Sequence, residues 1–239
     1  MMKTIIHKAQ SRGHANHGWL NTYHTFSFAG YYDPERIHFG ALRVLNDDTI
    51  AGGEGFGTHP HDNMEIITIP LYGDLKHKDS MGNEGVIKSG DVQVMSAGTG
   101  IQHSEFNANS DKEVKLLQIW IFSNKKNVEP RYDQISLKAL EKENELFQIL
   151  SPDKNDQGVW IHQDAWFHMG NLKSGWEGEY TLKGKNHGIY LFVIEGSVSV
   201  EKNLLNYRDG IGFTGIKKIN MTATEEAKIL IMEIPMQIN

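Results

Sequence analysis

Glu65–Asp79, EIITIPLYGDLKHKD, with Ser89–Met95, SGDVQVM, behind it, has a counterpart in Tyr190–Lys202, YLFVIEGSVSVEK, followed by Arg208–Phe213, RDGIGF. Both run as an apolar strand, a turn glycine (Gly73, Gly196), a second strand, a Gly-Asp or Asp-Gly turn, and a third strand. Self-similarity of this kind marks a duplicated unit. Further β-rich runs bounded by Gly, Asn and Asp occur at Phe39–Leu45, Val114–Phe122, Trp166–Leu172 and Lys228–Ile234. Many short strands with turn residues between them read as an antiparallel sandwich or barrel. Only Ser136–Glu145, SLKALEKENE, carries a helix signature, a serine cap followed by good helix formers. The sequence therefore predicts an all-β chain of two antiparallel barrels joined by a connection with one short helix.

The connection shows as a composition shift from Ser123 to Gly158, where charged and turn residues dominate. The expected organisation is an N-terminal barrel at 1–130, a connecting segment at 131–158 and a C-terminal barrel at 159–239. Its 239 residues, 39% hydrophobic, suffice for a sizeable core in one or two domains. With no Cys and 12 His, thiolate zinc sites, iron–sulfur clusters, cysteine nucleophiles and disulfides are excluded, so any metal must be held by His and carboxylate. A chain without Cys fits a reducing compartment, and a cytoplasmic location is expected. No run approaches the ~20 apolar residues of a membrane span, and Met1–Gly18 does not read as a signal peptide. The 24 basic residues are scattered against 30 acidic ones, for a net charge of −6. Direct nucleic-acid binding, which draws on a positive surface, is therefore not expected.

Metal chemistry is concentrated in Gly53–Glu65, GEGFGTHPHDNME, and Gly90–Glu105, GDVQVMSAGTGIQHSE. His59 and His61 stand two residues apart, as do His103 and Glu105, so on strands each pair projects from one face. Two such pairs on neighbouring strands converge into three nitrogen donors and one carboxylate oxygen. Pro60 restricts the first pair to extended backbone, and Gly98 and Gly100 permit the tight turn before the second. A lone His-x-His is equally well two polar side chains on a solvated strand face, and the glycine-flanked His-x-Glu about 40 residues on is what gives the metal reading its weight. Imidazole with carboxylate suits Fe, Mn, Co, Ni, Cu or Zn alike.

These residues also carry a resemblance. Gly53-x5-His59-x-His61-x3-Glu65 resembles the first motif of the cupin superfamily. Arg12–Pro34 (RGHANHGWLNTYHTFSFAGYYDP), His59–Ile66 (HPHDNMEI) and Met95–Glu105 (MSAGTGIQHSE) resemble the pirin family, in particular its bacterial quercetinase-like members. The likeness is dense in the N-terminal half and thinner through Pro130–Gln134 (PRYDQ) and the second half. It implies a bicupin, two jelly-roll-type barrels in one chain, whose N-terminal barrel holds one divalent metal through His59, His61, His103 and Glu105. Fe2+ is the first expectation, with Zn2+, Mn2+, Co2+, Ni2+ and Cu2+ suited by the same donors. Glu65, a ligand in many cupins, is implied to support the site from beside the metal. Ser96 replaces the proline of the general cupin second motif, as pirins allow.

The second half is expected to lack a metal set. Aligning Gly73 with Gly196 sets Leu182, Gly184 and Gly188 opposite His59, His61 and Glu65, and aligning Gly90 with Gly210 sets Ala223 opposite His103. His162, His168 and His187 do not rebuild one. In the first half, Phe26 and Phe28 alternate with Thr25 and Ser27, reading first as barrel filling and second as substrate contacts. His24 is placed in the pocket or behind a ligand, and Trp19, Tyr23, Tyr31 and Tyr32 are candidates for the mouth of the site.

The resemblance implies a quercetin 2,3-dioxygenase: a monomeric enzyme that takes a flavonol-like substrate and O2, opens the central ring and releases carbon monoxide. Glu105 is then the proton acceptor, since a ligating carboxylate carries a proton within reach of the substrate oxygen. The alternatives are a metal- or redox-sensing pirin that regulates protein partners, and an oxygenase acting on another enol-like compound. An open pocket wide enough for a flat aromatic ligand separates an enzyme from a sensor.

Overall fold

Two sheets per half, one wide and one narrow, follow from the alternation of apolar and polar residues along short strands. The computed structural model describes residues 2–238. Its first-half strands are β1 (Lys3–His7), β2 (Gly13–Asn16), β3 (Leu20–His24), β4 (Leu42–Ile50), β5 (Gly55–His61), β6 (Met64–Tyr72), β7 (Asp74–Asp79), β8 (Glu84–Lys88), β9 (Asp91–Ser96), β10 (Ile101–Asn107), β11 (Val114–Phe122) and β12 (Arg131–Ser136). The second half contributes β13 (Leu146–Ser151), β14 (Val159–Trp160), β15 (Trp166–Leu172), β16 (Glu177–Thr181), β17 (His187–Glu195), β18 (Val198–Val200), β19 (Asn203–Leu205), β20 (Gly210–Thr214), β21 (Lys218–Ala223) and β22 (Ala227–Pro235).

The seven-stranded sheets have the orders β12-β9-β6-β11-β4-β3-β2 and β1-β20-β17-β22-β15-β13-β14, and the four-stranded ones β5-β10-β7-β8 and β16-β21-β18-β19. In strand order the second half repeats the first, except that β14 joins β13 parallel where β2 joins β3 antiparallel. Each half is an open sandwich of a wide and a narrow sheet, so the expected all-β bicupin holds, while the barrels are not closed. The equivalence also exposes an exchange: β12 completes the edge of the first half's wide sheet, and β1 completes the same edge in the second half. The sheets run across the expected bounds 1–130, 131–158 and 159–239 at β1, β12 and β13.

Odd and even residues of the wide sheets serve different faces. Ile67, Ile69, Leu117, Ile119 and Ile121 of the first half pack with Phe167, Met169, Tyr190, Phe192 and Leu230 of the second in one buried cluster. The main core thus lies between the two wide sheets. Their other faces look into the sandwiches. In the second half that interior is apolar, with Leu191, Val198, Ile219 and Ile231 among its members. In the first half Thr68, Gln118, His77, His103 and Glu105 are buried together, and this polar interior positions the site.

The helix expected over Ser136–Glu145 shrinks to a single 3-10 turn, Leu137–Ala139, in which the Ser136 side chain accepts from Lys138 N. Only Leu137 of that turn is buried, and a segment this short is not helical without a face to pack. Asn144 then turns the chain in the left-handed region, φ 60°, toward β13. Among the described residues no helix is long and apolar enough to cross a membrane.

Candidate metal centre

β5 and β10 are hydrogen-bonded neighbours, with His103 directly opposite His59 and Ile101 opposite His61. The i, i+2 spacing of each pair therefore does what a pleated strand requires, and both point into the sandwich. The ring centroids of His59 and His103 are 4.4 Å apart, those of His59 and His61 4.9 Å, and those of His61 and His103 4.9 Å. A β-bulge between His103 and Glu105 brings Phe56 opposite Glu105. Before β10 the chain turns at Gly98, φ 50°, where a Cβ would lie 2.0 Å from Val128 O. Only glycine fits there, which is why the Ala97–Gly100 turn can deliver His103 to its place.

The donor atoms form two overlapping triads, His59–His61–His103 and His77–His103–Glu105, each with its members within 4.8 Å of one another. His59 Nδ1 lies 2.8 Å from Gly57 O and donates to it, leaving Nε2 bare. His103 is buried with no hydrogen-bond partner on either ring nitrogen. Burial, then the neighbouring His59, holds the His61 pKa down at about 4. Burial, then His59, His61 and His77, takes that of His103 to about 2. Both rings are therefore neutral at neutral pH, as metal binding demands. Glu105 is buried and its carboxyl is raised by that burial; Gln118 Nε2 donates to Oε2 at 2.9 Å, and Thr68 Oγ1, which donates to Gln118 Oε1 at 2.9 Å, lies 3.3 Å from Oε1. Unpartnered buried nitrogens cost about 1–3 kcal/mol each, and a divalent transition metal among these N and O donors removes that cost. The residues fit the ion the sequence implied.

A cavity of about 390 Å3 opens onto His59, His61 and Glu105 between the aromatic rings of Trp19, Phe28, Phe56 and Trp120. A second cavity of about 730 Å3 adjoins it through Trp19, Phe28 and Phe56 and continues past His14, His24 and Tyr31. Phe28 and His24 thus belong to the pocket: the Trp120 ring meets Phe28 edge-on at 5.3 Å, and His24 lies 5.3 Å from Phe28 with Nδ1 3.0 Å from Asn46 Oδ1. Phe26 does not. It is 2% exposed and packs on Tyr190 and His7 between the two halves, because β3 ends at His24 and the chain bends through Thr25 and Phe26, so the strand alternation does not carry on to Phe28. Of the proposed mouth residues Trp19 and Tyr31 line the cavities; Tyr32 is 74% exposed, and Tyr23 faces a different groove, beside Arg12 and Tyr207.

Glu65 also sits away from the donors. Thr68 is on the face of β6 that looks at Glu105, so Glu65, an odd number of residues earlier, faces the second half. It is fully buried there, accepts from Ser96 Oγ at 2.6 Å, and has its carboxyl raised by burial. It does not support the centre directly.

Four neighbours of the site were not picked out from the sequence. Gln118 holds Glu105 and is itself held by Thr68, Trp120 lies 4.8 Å edge-on to His61, and Asp48 lines both cavities. Asp48 accepts from Thr22 Oγ1, and burial pushes its carboxyl up to about 7. Its signal was a charged residue within the β-rich stretch Leu42–Ile50; Gln118 and Trp120 alternate inward in Val114–Phe122.

Register shows which described residues of the second half stand where the donors stand in the first. Met221 lies opposite Val200 as Glu105 lies opposite His77, and Ile219 opposite Tyr180 as His103 lies opposite His59. Tyr180, Ile219 and Met221 therefore occupy the donor positions, two to four residues from those the glycine alignment gave, Leu182 and Ala223. His187 and Tyr180 instead serve the buried Glu233, at 2.9 and 2.8 Å.

The chain matches the family described as Pirin over residues 6–121 and the quercetinase C-terminal cupin domain over residues 148–234. It is 40% identical to the quercetin 2,3-dioxygenase of Escherichia coli K12, covering 96% of this chain and 98% of that protein. With a putative quercetin 2,3-dioxygenase of Pseudomonas aeruginosa the identity is 43%, over 93% and 95% of the two chains. Among solved structures, a bacterial pirin of Escherichia coli in complex with nickel(II) superposes with a TM-score of 0.92 at 39% identity, over 98% of this chain and 99% of the other.

Proposed function

The chain belongs to the pirin family, and from that premise we propose that it is a metal-dependent dioxygenase cleaving flavonols such as quercetin, with O2 consumed and carbon monoxide released. The observation that carries this reading is the aromatic-walled cavity of about 390 Å3 that ends at His59, His61 and Glu105. Its size is that of a small-molecule site, and Trp19, Phe28, Phe56 and Trp120 offer stacking and edge contacts to a flat polycyclic ligand. A sensor that reads only its ion has no use for such an opening, which favours the enzyme over the regulatory alternative.

A divalent ion would be held by His59, His61, His103 and Glu105 and would supply Lewis acidity toward the hydroxyl and carbonyl of the substrate. The chain's residues do the remaining work. The aromatic walls orient the ring system and exclude water. Glu105 takes the hydroxyl proton: burial raises its carboxyl, and Gln118, itself held by Thr68, fixes Oε2. Asp48, raised to about 7 at the cavity wall, is a second place to hold a proton near neutrality. Fe2+ is the first ion to test and Ni2+ the second, because a solved relative binds nickel(II). The reading further takes the protein as a cytoplasmic monomer without nucleic-acid or membrane contact, for which the net charge of −6 and the absence of Cys are the support.

The test is a metal-loaded preparation given quercetin, with O2 uptake and carbon monoxide followed together. Turnover by the parent chain and none by His59→Ala is the expected result. No O2 uptake, with no shift of the flavonol absorption under anaerobic conditions, would overturn the reading.

A further inference from the structure

His77 lies on β7 directly opposite Glu105 of β10, with its ring 5.4 Å from that of His103. Its side chain is 1% exposed, and that of its neighbour Asp79 is 0% exposed. Asp79 is firmly held: Oδ1 accepts from Met81 N at 2.9 Å and Asn83 N at 3.0 Å, and Oδ2 accepts from Asn83 Nδ2 at 2.9 Å. The same Oδ2 faces His77 Nε2 at 3.3 Å. A carboxylate at Nε2 fixes the ring proton there and leaves Nδ1 as a lone pair. That Nδ1 is buried with no hydrogen-bond partner. One donor atom each of His77, His103 and Glu105 lies within 4.8 Å of the others, and all three residues are buried.

A bare buried nitrogen alone does not mark a ligand, since His7 Nε2 and His168 Nδ1 are bare as well; His77 differs in lying among other donors. A histidine fixed through one nitrogen by a buried carboxylate, with the other bare beside further bare donors, is how proteins orient a metal ligand. Two imidazoles and a carboxylate are, moreover, a set that suits Fe(II) and its neighbours in the first transition row.

We propose that His77, His103 and Glu105 form an inner position for a divalent transition metal, overlapping the outer position at His59, His61 and His103. The proposal rests on the metal-binding reading of the centre above, with which it shares His103 and Glu105. Since His103 serves both, one ion occupies one position at a time. The outer position opens on the cavity through His59 and His61, whereas of the inner donors only the shared Glu105 lines it. An ion in the inner position is thus set back from the cavity relative to one in the outer position, and exchange of His77 for the β5 histidines brings it forward.

The test removes the outer donors. The double variant His59→Ala/His61→Ala, titrated anaerobically with Co2+, is expected to bind one equivalent, with visible d–d absorption and two imidazoles counted by X-ray absorption. Adding His77→Ala is expected to weaken that binding at least about tenfold. A double variant that binds no Co2+, or a triple variant that binds as tightly as the double, overturns the inner position. Melting curves of the metal-free variants check folding, and His59→Asn/His61→Asn replaces the alanine pair should that pair unfold. The parent chain separates the two readings: Co2+ binding without O2 uptake fails the dioxygenase alone, and no Co2+ binding fails the centre itself.

Discussion

His59 and His103 oppose each other across β5 and β10 with their rings 4.4 Å apart, the shortest separation between the rings of the outer triad. Strand pairing, not a flexible loop, sets this distance, so the centre is organised before any ion arrives. Such preorganisation limits the entropy lost on binding.

His103→Ala is expected to lower metal affinity by more than about tenfold, because groups that merely orient a ligand are already worth ~10–100-fold. Quercetin-dependent O2 uptake should disappear with it. The metal-free protein should lose little stability, since the ring removed is buried and unpartnered. Metal analysis after dialysis and calorimetry of the metal-free forms check both halves of the statement. A variant with full metal content and turnover would place the centre elsewhere.

Gly55 tests the scaffold without touching a donor. A Cβ there would lie 2.2 Å from Glu105 O and 2.5 Å from Phe106 Cα, both backbone atoms of the bulged strand. Gly55→Ala must push β5 off β10 and is expected to cost about 1–3 kcal/mol and to weaken metal binding. Gly57, with nothing within 4 Å of its Cβ position, is the control, and Gly57→Ala should leave both properties unchanged. Urea unfolding and metal titration of the two variants decide it.

What could be read in the sequence follows from the range of the interactions concerned. The two i, i+2 donor pairs were legible because a strand's pleat is local, and the repeat because Gly73 and Gly196 make the same left-handed turn, φ 73° and 71°. The exchange of β1 and β12 was not legible. β1 is exposed along most of its length, and its partner β20 lies some 200 residues away in the chain. The donor positions of the second half were displaced because the segments between glycine and strand differ in length between the repeats. Glu65 was misplaced by strand parity alone, for a single step in register moves a side chain from the pocket to the joint between halves, whereas Phe26 fills the core as it reads first, between the halves rather than within the first sandwich.

The different places of Phe26 and Phe28 make a paired prediction. Phe26→Ala opens a cavity in the core between the halves and is expected to cost about 3–5 kcal/mol, with the flavonol affinity of the folded fraction unchanged. Phe28→Ala and Trp120→Ala strip the cavity wall and should raise KM for quercetin with a smaller loss of stability. Equal effects of Phe26→Ala and Phe28→Ala on KM would contradict the assignment.

Asp48 sets a pH dependence opposite in sign to that of the histidines. Its carboxyl titrates near 7 in the folded protein against 3.8 in the unfolded chain. The stability this proton provides is complete below 3.8 and declines as pH rises to about 7, because over that window the folded state binds more protons. His61, lowered from 6.5 to about 4, acts the other way: its contribution is present above 6.5 and lost as pH falls toward 4. Asp48→Asn isolates the first effect. Relative to the parent, the metal-free variant should gain stability steadily from pH 4 to 7 and no further above it, as measured by urea midpoints. A constant difference across that range would mean that Asp48 is ionised throughout.

The exchanged strand yields the last prediction. His7 of β1 places Nδ1 2.8 Å from the Tyr190 hydroxyl, and Lys8 and Ala9 N both reach Asp209, each at 2.8 Å. Removing residues 1–8 leaves the edge of β20 unpaired and the buried Tyr190 hydroxyl without its partner, the latter alone costing about 1–3 kcal/mol. The damage should fall on the second half although the deletion is at the N-terminus. Protease cleavage is expected to begin at β20 and the neighbouring β17, and the exposed edge should promote association. The donors on β5, β7 and β10 pair within the first half, so metal stoichiometry should hold in the folded fraction. Loss of the metal with an intact second half would show that β1 serves the centre instead.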